Sequence, residues 1–220
     1  MENRFDWNGT DSDPKRKKER HAFRPTEFFG HAVSLAASEL FVPERGFKRL
    51  EHTPIRSELM PHPKPIPVYS IAVEQAKIFA LFMELLKPLG EDLSVILTSS
   101  HKAEPDMGPR EFWSGSHDSL ALQSALLDYE DLLTQDGFSG VSVIDADEGC
   151  EVMFTEDKTL HCYGNNGIMG QFHRILHRHD VYYRPELKIL SESVFHVHRT
   201  TSEYRLRFLK LVDEIGALSY

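Results

Sequence analysis

The apolar positions change period along the chain, and each change marks an element. From Ile71 to Leu86 the residues Ala72, Val73, Ala76, Phe79, Ala80, Phe82, Met83 and Leu86 are apolar almost all round, which predicts a helix buried on more than one side. Before it, Thr26 caps a predicted helix on which Phe29, Val33, Leu35, Ala36, Ala37 and Leu40 recur at near-helical spacing until Pro43 stops it. Pro54, Pro61, Pro63, Pro65 and Pro67 lie between the two and predict an extended linker or surface arm. No two of these prolines stand three apart, which excludes a PxxP ligand.

A short β-rich run, Leu93 to Leu97, precedes a polar loop from Ser99 to Pro109. Ser116 or Asp118 then caps a second helix through Leu120, Leu122, Leu126, Leu127, Tyr129 and Leu133, with Gly137 as its left-handed end. Three strands follow in quick succession: Ser139 to Asp145, Cys150 to Glu156 and Thr159 to Gly164, joined by turns at Ala146 to Gly149 and near Asp157-Lys158. A four-residue first turn puts Val141, Val143, Val152 and Phe154 on one face, and an odd-length second turn adds Leu160 and Cys162. Phe79, Phe82, Leu126 and Phe208 are expected over that face. Ser142, Ile144, Glu151, Met153, His161 and Tyr163 form the other.

The next helix, Ile168 to about His179, lines Ile168, Phe172, Ile175 and Leu176 on one stripe, with His173 and His177 outward. Leu187 to Ser191 and Val194 to His198 are the last β-rich runs. Thr200-x-x-Glu203 is a capping box that opens a final helix through Tyr204, Phe208, Leu211, Val212 and Ile215.

This succession predicts an α+β fold: an antiparallel or mixed sheet including a three-strand meander over about 139–164, with helices packed mainly on one face. Residues 1–25 are expected as a flexible basic and polar tail. Residues 26–220 form a single α+β domain, with a helix and Pro-rich arm over 26–69 and the main body over 70–220.

At 220 residues, 40% hydrophobic and 27% charged, the chain can bury a real core and is too apolar for disorder. The longest apolar run, from Ile78, is broken by Glu84 and stopped by Pro88, well short of the roughly 20 residues that span a bilayer. No membrane segment is expected. The first residues lack the apolar stretch of a secretory signal, so the expected compartment is the cytoplasm. Cys150 and Cys162 fit that placement as reduced, buried residues.

Charge narrows the partners. The net charge is −9, and residues 1–25 carry 7 basic and 5 acidic groups, which leaves 18 basic and 29 acidic groups, net −11, on the rest. An acidic body argues against nucleic-acid binding, which relies on neutralising phosphates, and favours a protein with a basic surface. The one basic run, Pro14-Lys15-Arg16-Lys17-Lys18-Glu19-Arg20, falls in the tail.

Candidate chemistry concentrates in histidine. Six of the 12 histidines lie between His161 and His198. His196 and His198 alternate with Phe195 and Val197, so a strand would point both imidazoles to one face and Phe195 and Val197 to the core. With His161 from a neighbouring strand they form a candidate zinc site, for which Glu151 or Glu192 could act as base. The His173/His177 pair lacks the glutamate of an HExxH site, Arg174 standing in its place. His198-Arg199-Thr200 matches one HxT element of two-histidine phosphoesterases without a second copy. Asp145, Asp147, Glu148 and Glu151 cluster at a hairpin turn without EF-hand spacing.

Phosphate-binding glycine loops, nucleophile elbows and paired CxxC motifs are absent from the sequence. The leading expectation is therefore a cytoplasmic, non-catalytic protein-binding module of inhibitor, immunity or regulatory type. It would use an acidic surface and need no cofactor. The alternative is a metal-dependent hydrolase built on His161, His196 and His198, with zinc as its metal.

Overall fold

The computed structural model of the chain describes residues 23–36, 43–52, 65–101, 109–193 and 196–219. The fold is α+β, and among the described residues the strands pair antiparallel, with one isolated parallel bridge between Phe47 and Tyr183. A nine-stranded sheet contains β3 (Gly46–His52), β4 (Ile66–Ala72), β5 (Asp92–Ser99), β6 (Arg110–Trp113), β7 (His117–Asp118), β8 (Ser139–Asp145), β9 (Cys150–Phe154), β10 (Leu160–Tyr163) and β12 (Leu218–Ser219). Its order is β12-β6-β5-β8-β9-β10-β4-β3, with the short β7 paired to β5. A smaller sheet joins β1 (Phe23–Pro25), β2 (Val33–Ala36) and β11 (His196–His198) in the order β1-β2-β11.

The meander β8-β9-β10 has the register its pattern predicts. Val141 pairs with Phe154, Val143 with Val152, Leu160 with Phe154 and Cys162 with Val152, and all six are buried. Helices α1 (Gln75–Leu86), α2 (Ser119–Leu127), α3 (Glu130–Gln135), α4 (Asn166–Arg178) and α5 (Ser202–Ile215) share one continuous apolar core with this face. Phe79, Phe82, Leu126 and Phe208 all belong to it, and the Phe82 and Phe154 rings meet at 5.5 Å. Cys150 and Cys162 are free, buried thiols within the same core.

Where the sequence pattern misleads, a local feature takes over. The helix expected from Thr26 is a set of turns followed by β2. Gly30 adopts φ +52°, which ends the first turn, and Val33, Ser34 and Leu35 are all buried because β2 is the central strand of the small sheet. Residues 37–42 lie outside the described part. Only the ends of the expected Pro-rich arm are described as strand: His52 closes β3 and Ile66-Pro67 open β4, the two strands pairing along the whole length of β3, and Phe23–Pro25 of the expected tail pairs with β2. Residues 1–22 and 53–64 lie outside the described residues. Ile71 and Ala72 end β4, and the apolar helix begins only at Gln75.

The second helix is capped by Asp118, as expected, but breaks at Asp128-Tyr129 into α2 and α3. Gly137 is not left-handed; a Cβ there would lie 2.2 Å from the Ala32 carbonyl oxygen, so glycine is required by close approach of the two backbone segments. Leu187 to Ser191 forms no strand but leads into a 3-10 turn, Leu190–Glu192. The cap of α5 is Thr201, whose hydroxyl accepts from the Tyr204 N–H, and not Thr200. No helix among the described residues is long and apolar enough to cross a membrane.

Candidate functional site

The turn between β9 and β10 is where the two sheets come together. Thr155 and Thr159 close it, with the Thr155 N–H donating to the Thr159 carbonyl at 3.0 Å. Lys158, read from the sequence as part of a polar turn, is only 1% exposed and left-handed at φ 58°. Its ammonium donates to the carbonyls of Leu133 and Ser139 at 2.8 and 3.2 Å, and burial pulls its pKa down to about 8. With the lysine turned inward, Glu156 and Asp157 are left at the half-buried mouth of the turn.

β11 brings its two histidines to this mouth. The alternation along β11 holds, but its faces are the reverse of those predicted: Val197 is 41% exposed, whereas His196 and His198 are half-buried with ring centroids 5.2 Å apart. Phe195 lies outside the described residues. His198 donates from Nδ1 to the Gly137 carbonyl at 2.6 Å, and its Nε2 lies 2.9 Å from Asp157 Oδ1. One ligand atom each from Asp157, His196 and His198 all lie within 4.8 Å of one another.

His161 is not one of the three. It projects from β10 onto the outer face of the large sheet, where its Nδ1 meets the Ser70 hydroxyl at 3.0 Å, and burial drives its pKa down to about 4. Of the predicted trio the structure brings together His196 and His198, and beside them stands Asp157, a residue that the sequence pattern assigned to a plain turn. Neither suggested base stands in this group. Glu192 is tied to Lys48, and Glu151 pairs across from Ile144 and Tyr163 on the outer face, its carboxyl pushed up by burial.

A cleft of about 380 Å³ opens beside the cluster, lined by Thr98, Ser142, Met153, Glu156, Asp157 and His198 among others. Its two acids are tuned in opposite directions. Burial raises Glu156, against the Ser100 hydroxyl that hydrogen-bonds both its carboxylate oxygens. Burial would also raise Asp157, but its hydrogen bond to His198 and the charges of His198, His196 and Lys158 outweigh this and hold it ionised. For His198 the burial that disfavours its charge is overcome by Asp157 and the Gly137 carbonyl, so its pKa rises. Chemically, the arrangement can hold a proton or a cation between a carboxylate and two imidazoles.

A second polar network sits behind the first and has no sequence signal. His101 Nε2 lies 3.1 Å from Asp136 Oδ2 and 3.0 Å from Thr200 Oγ1, and Nδ1 lies 2.8 Å from the Ser99 hydroxyl. Asp136 is completely buried and held low: the cost of burial is outweighed by hydrogen bonds from His101, Ser139 and Thr200. This joins the end of β5, the α3–β8 loop and the approach to α5, positions far apart in sequence. The remaining histidine pair is less outward than predicted: His173 packs against Phe47 at 5.6 Å, and His177 is exposed. The acidic hairpin is explained locally, because Asp145 is buried and accepts from the backbone N–H groups of Asp147, Glu148 and Gly90.

The outer face of the large sheet carries Ile96, Ile144, Met153 and Tyr163, half-buried, and Trp113, 43% exposed, with Glu111 and Glu151 beside them. The fold and these features define an α+β protein with a histidine–carboxylate cluster at one end of an aromatic, acid-rimmed sheet face. No protein family, curated protein or solved structure matches the chain.

Proposed function

We propose that the chain is a protein-binding module, of inhibitor, immunity or regulatory type, that engages a partner with a basic and apolar surface on the outer face of its large sheet. The observation that carries this is the juxtaposition on that face of Trp113, Ile96, Ile144, Met153 and Tyr163 with Glu111 and Glu151. Partly exposed Trp, Tyr and Met are the side chains that supply contact area at interfaces, and a sheet face of five adjacent strands holds them rigid before binding. The acids at its rim and the net charge of −9 set the sign of the partner by complementarity.

The helical side offers a competing apolar patch, since α2 exposes Leu120 and Leu127 and α5 exposes Leu206 and Leu209. Its surroundings are of mixed charge, with Arg205, Arg207 and Lys210 among Glu203 and Asp213, so it lacks the complementarity of the sheet face.

The test compares full-length protein with Trp113→Arg, Met153→Arg and, on the helical side, Leu206→Arg in capture from native lysate. A partner lost with the two sheet-face variants, kept with Leu206→Arg and released as salt rises supports the proposal. Capture lost only with Leu206→Arg overturns it, as does capture that needs only the basic run Lys15 to Lys18 and carries nucleic acid with it.

A further inference from the structure

The geometry points to a binding site for a zinc-class divalent cation formed by Asp157, His196 and His198, a property separate from the protein-binding role. The hydrogen-bond pattern around His198 leads to it. Its Nδ1 faces the Gly137 carbonyl, which can only accept, so that nitrogen carries a hydrogen. Its Nε2 faces Asp157 Oδ1 at 2.9 Å, a second group that accepts when ionised. Either an extra proton or a cation must therefore lie between the ring and the carboxylate. The Nδ1–H to carbonyl bond is the outer-shell contact that orients a metal-bound imidazole and leaves Nε2 as the ligand atom.

His196 favours the cation over the proton alone. It stands two residues from His198 on the same face of β11, and its Nδ1 is buried with no hydrogen-bond partner among the described residues. A simple His198–Asp157 ion pair gives this second imidazole nothing to do. Two imidazoles and one carboxylate are a ligand set suited to zinc or a similar borderline cation, and unsuited to magnesium or calcium, which prefer oxygen ligands throughout. Ligand atoms at roughly 2.0–2.1 Å from a tetrahedral zinc stand about 3.4 Å apart. Closing in from the outer limit of 4.8 Å while the His198–Asp157 pair opens from 2.9 Å asks for side-chain adjustments of about an ångström, within reach of rotamer changes on a three-residue strand and a turn. A fourth position would face the cleft that Ser142, Thr98 and Glu156 line.

Full-length protein, freed of metal by a chelator, is titrated with zinc against a chromophoric competitor, alongside His196→Ala, Asp157→Asn and His177→Gln. The first two variants remove a ligand; the third removes the exposed half of the His173/His177 pair, where among the described residues two further imidazoles come close, at 4.8 Å between ring centroids. One zinc per chain is expected, with affinity reduced more than tenfold in His196→Ala and Asp157→Asn and unchanged in His177→Gln. Cobalt(II) gives a second readout, the intense visible bands of a low-symmetry four-coordinate site in wild type and their loss in Asp157→Asn. Failure to bind one equivalent, or loss of binding only in His177→Gln, overturns the inference and leaves His198–Asp157 as an ion pair. Folding of each variant is checked by circular dichroism, and an unfolded His196→Ala leaves the decision to Asp157→Asn.

Discussion

The meander and the strand β11 share one sequence pattern, alternation of apolar and polar residues, yet only the meander has the faces that the pattern predicts. In β8, β9 and β10 the apolar set Val141, Val143, Val152, Phe154, Leu160 and Cys162 is buried in the core that the sheet shares with the helices. In β11 the apolar Val197 faces outward and the two histidines face in. The difference lies in what each face meets. Shifting the meander by one residue would expose six core side chains, which fixes its register strongly. β11 has three residues, only one of them apolar, so its faces are decided by the Gly137 carbonyl and Asp157 waiting for His198. Alternation assigns a face reliably only where apolar area dominates the balance.

Breaking the core at each end should expose this contrast. Phe154→Ala, which leaves a cavity facing Phe82, is expected to cost about 3–5 kcal/mol in urea denaturation. A loss below about 1 kcal/mol would mean that the meander face is not what holds the sheet.

The outer face yields the next effect, through His161. Its pKa is lowered from 6.5 to about 4 by burial, so between these values the unfolded chain binds more protons than the folded one. Stability contributed by keeping this ring neutral is complete above about pH 6.5 and is lost as pH falls toward 4, by up to about 3 kcal/mol. In His161→Gln, which can still hydrogen-bond Ser70, the part of the acid slope belonging to this ring should vanish. Denaturation midpoints measured between pH 4 and 7 in the two proteins check this, and parallel slopes would contradict it.

The smallest effect is expected at β11. Val197→Thr replaces an outward, 41% exposed side chain with another β-branched one, and stability should stay within about 0.5 kcal/mol. A cost near that of a core truncation would restore Val197 to the inside and reverse the assignment of the histidine face.

Much of the fold was legible because it rests on short-range signals. Asp118 caps α2, the Ala146 to Gly149 turn sets the first hairpin, and the stripe Ile168, Phe172, Ile175 and Leu176 lays α4 on the core. The N-terminal helix failed because spacing of Phe29, Val33 and Leu35 fits a fully buried strand as well as a helix, and Gly30 and pairing with β1 and β11 decide for the strand. The candidate site was half legible. His196 and His198 are neighbours in sequence and on one face, so their pairing followed from period. Asp157 joins them only because Lys158 turns into the core beneath it, and a lysine in a hairpin turn carries no sign of burial. His161 was misplaced because strand periodicity gives a face of a sheet but not which end of that face a second sheet will reach. His101 and Asp136 are brought together by three connections at once, a convergence no local pattern encodes.

The central claim, that the outer sheet face is where a partner docks, is tested most directly by hydroxyl-radical footprinting of the complex with whatever partner the lysate capture recovers. Trp113, Met153 and Tyr163 are all readily oxidised side chains on that face, and Leu206 on α5 reports on the opposite side. The account predicts lower oxidation of the first three on binding, with Leu206 unchanged. Protection of Leu206 and its neighbours on α2 and α5, with Trp113, Met153 and Tyr163 oxidised as in the free protein, would contradict it.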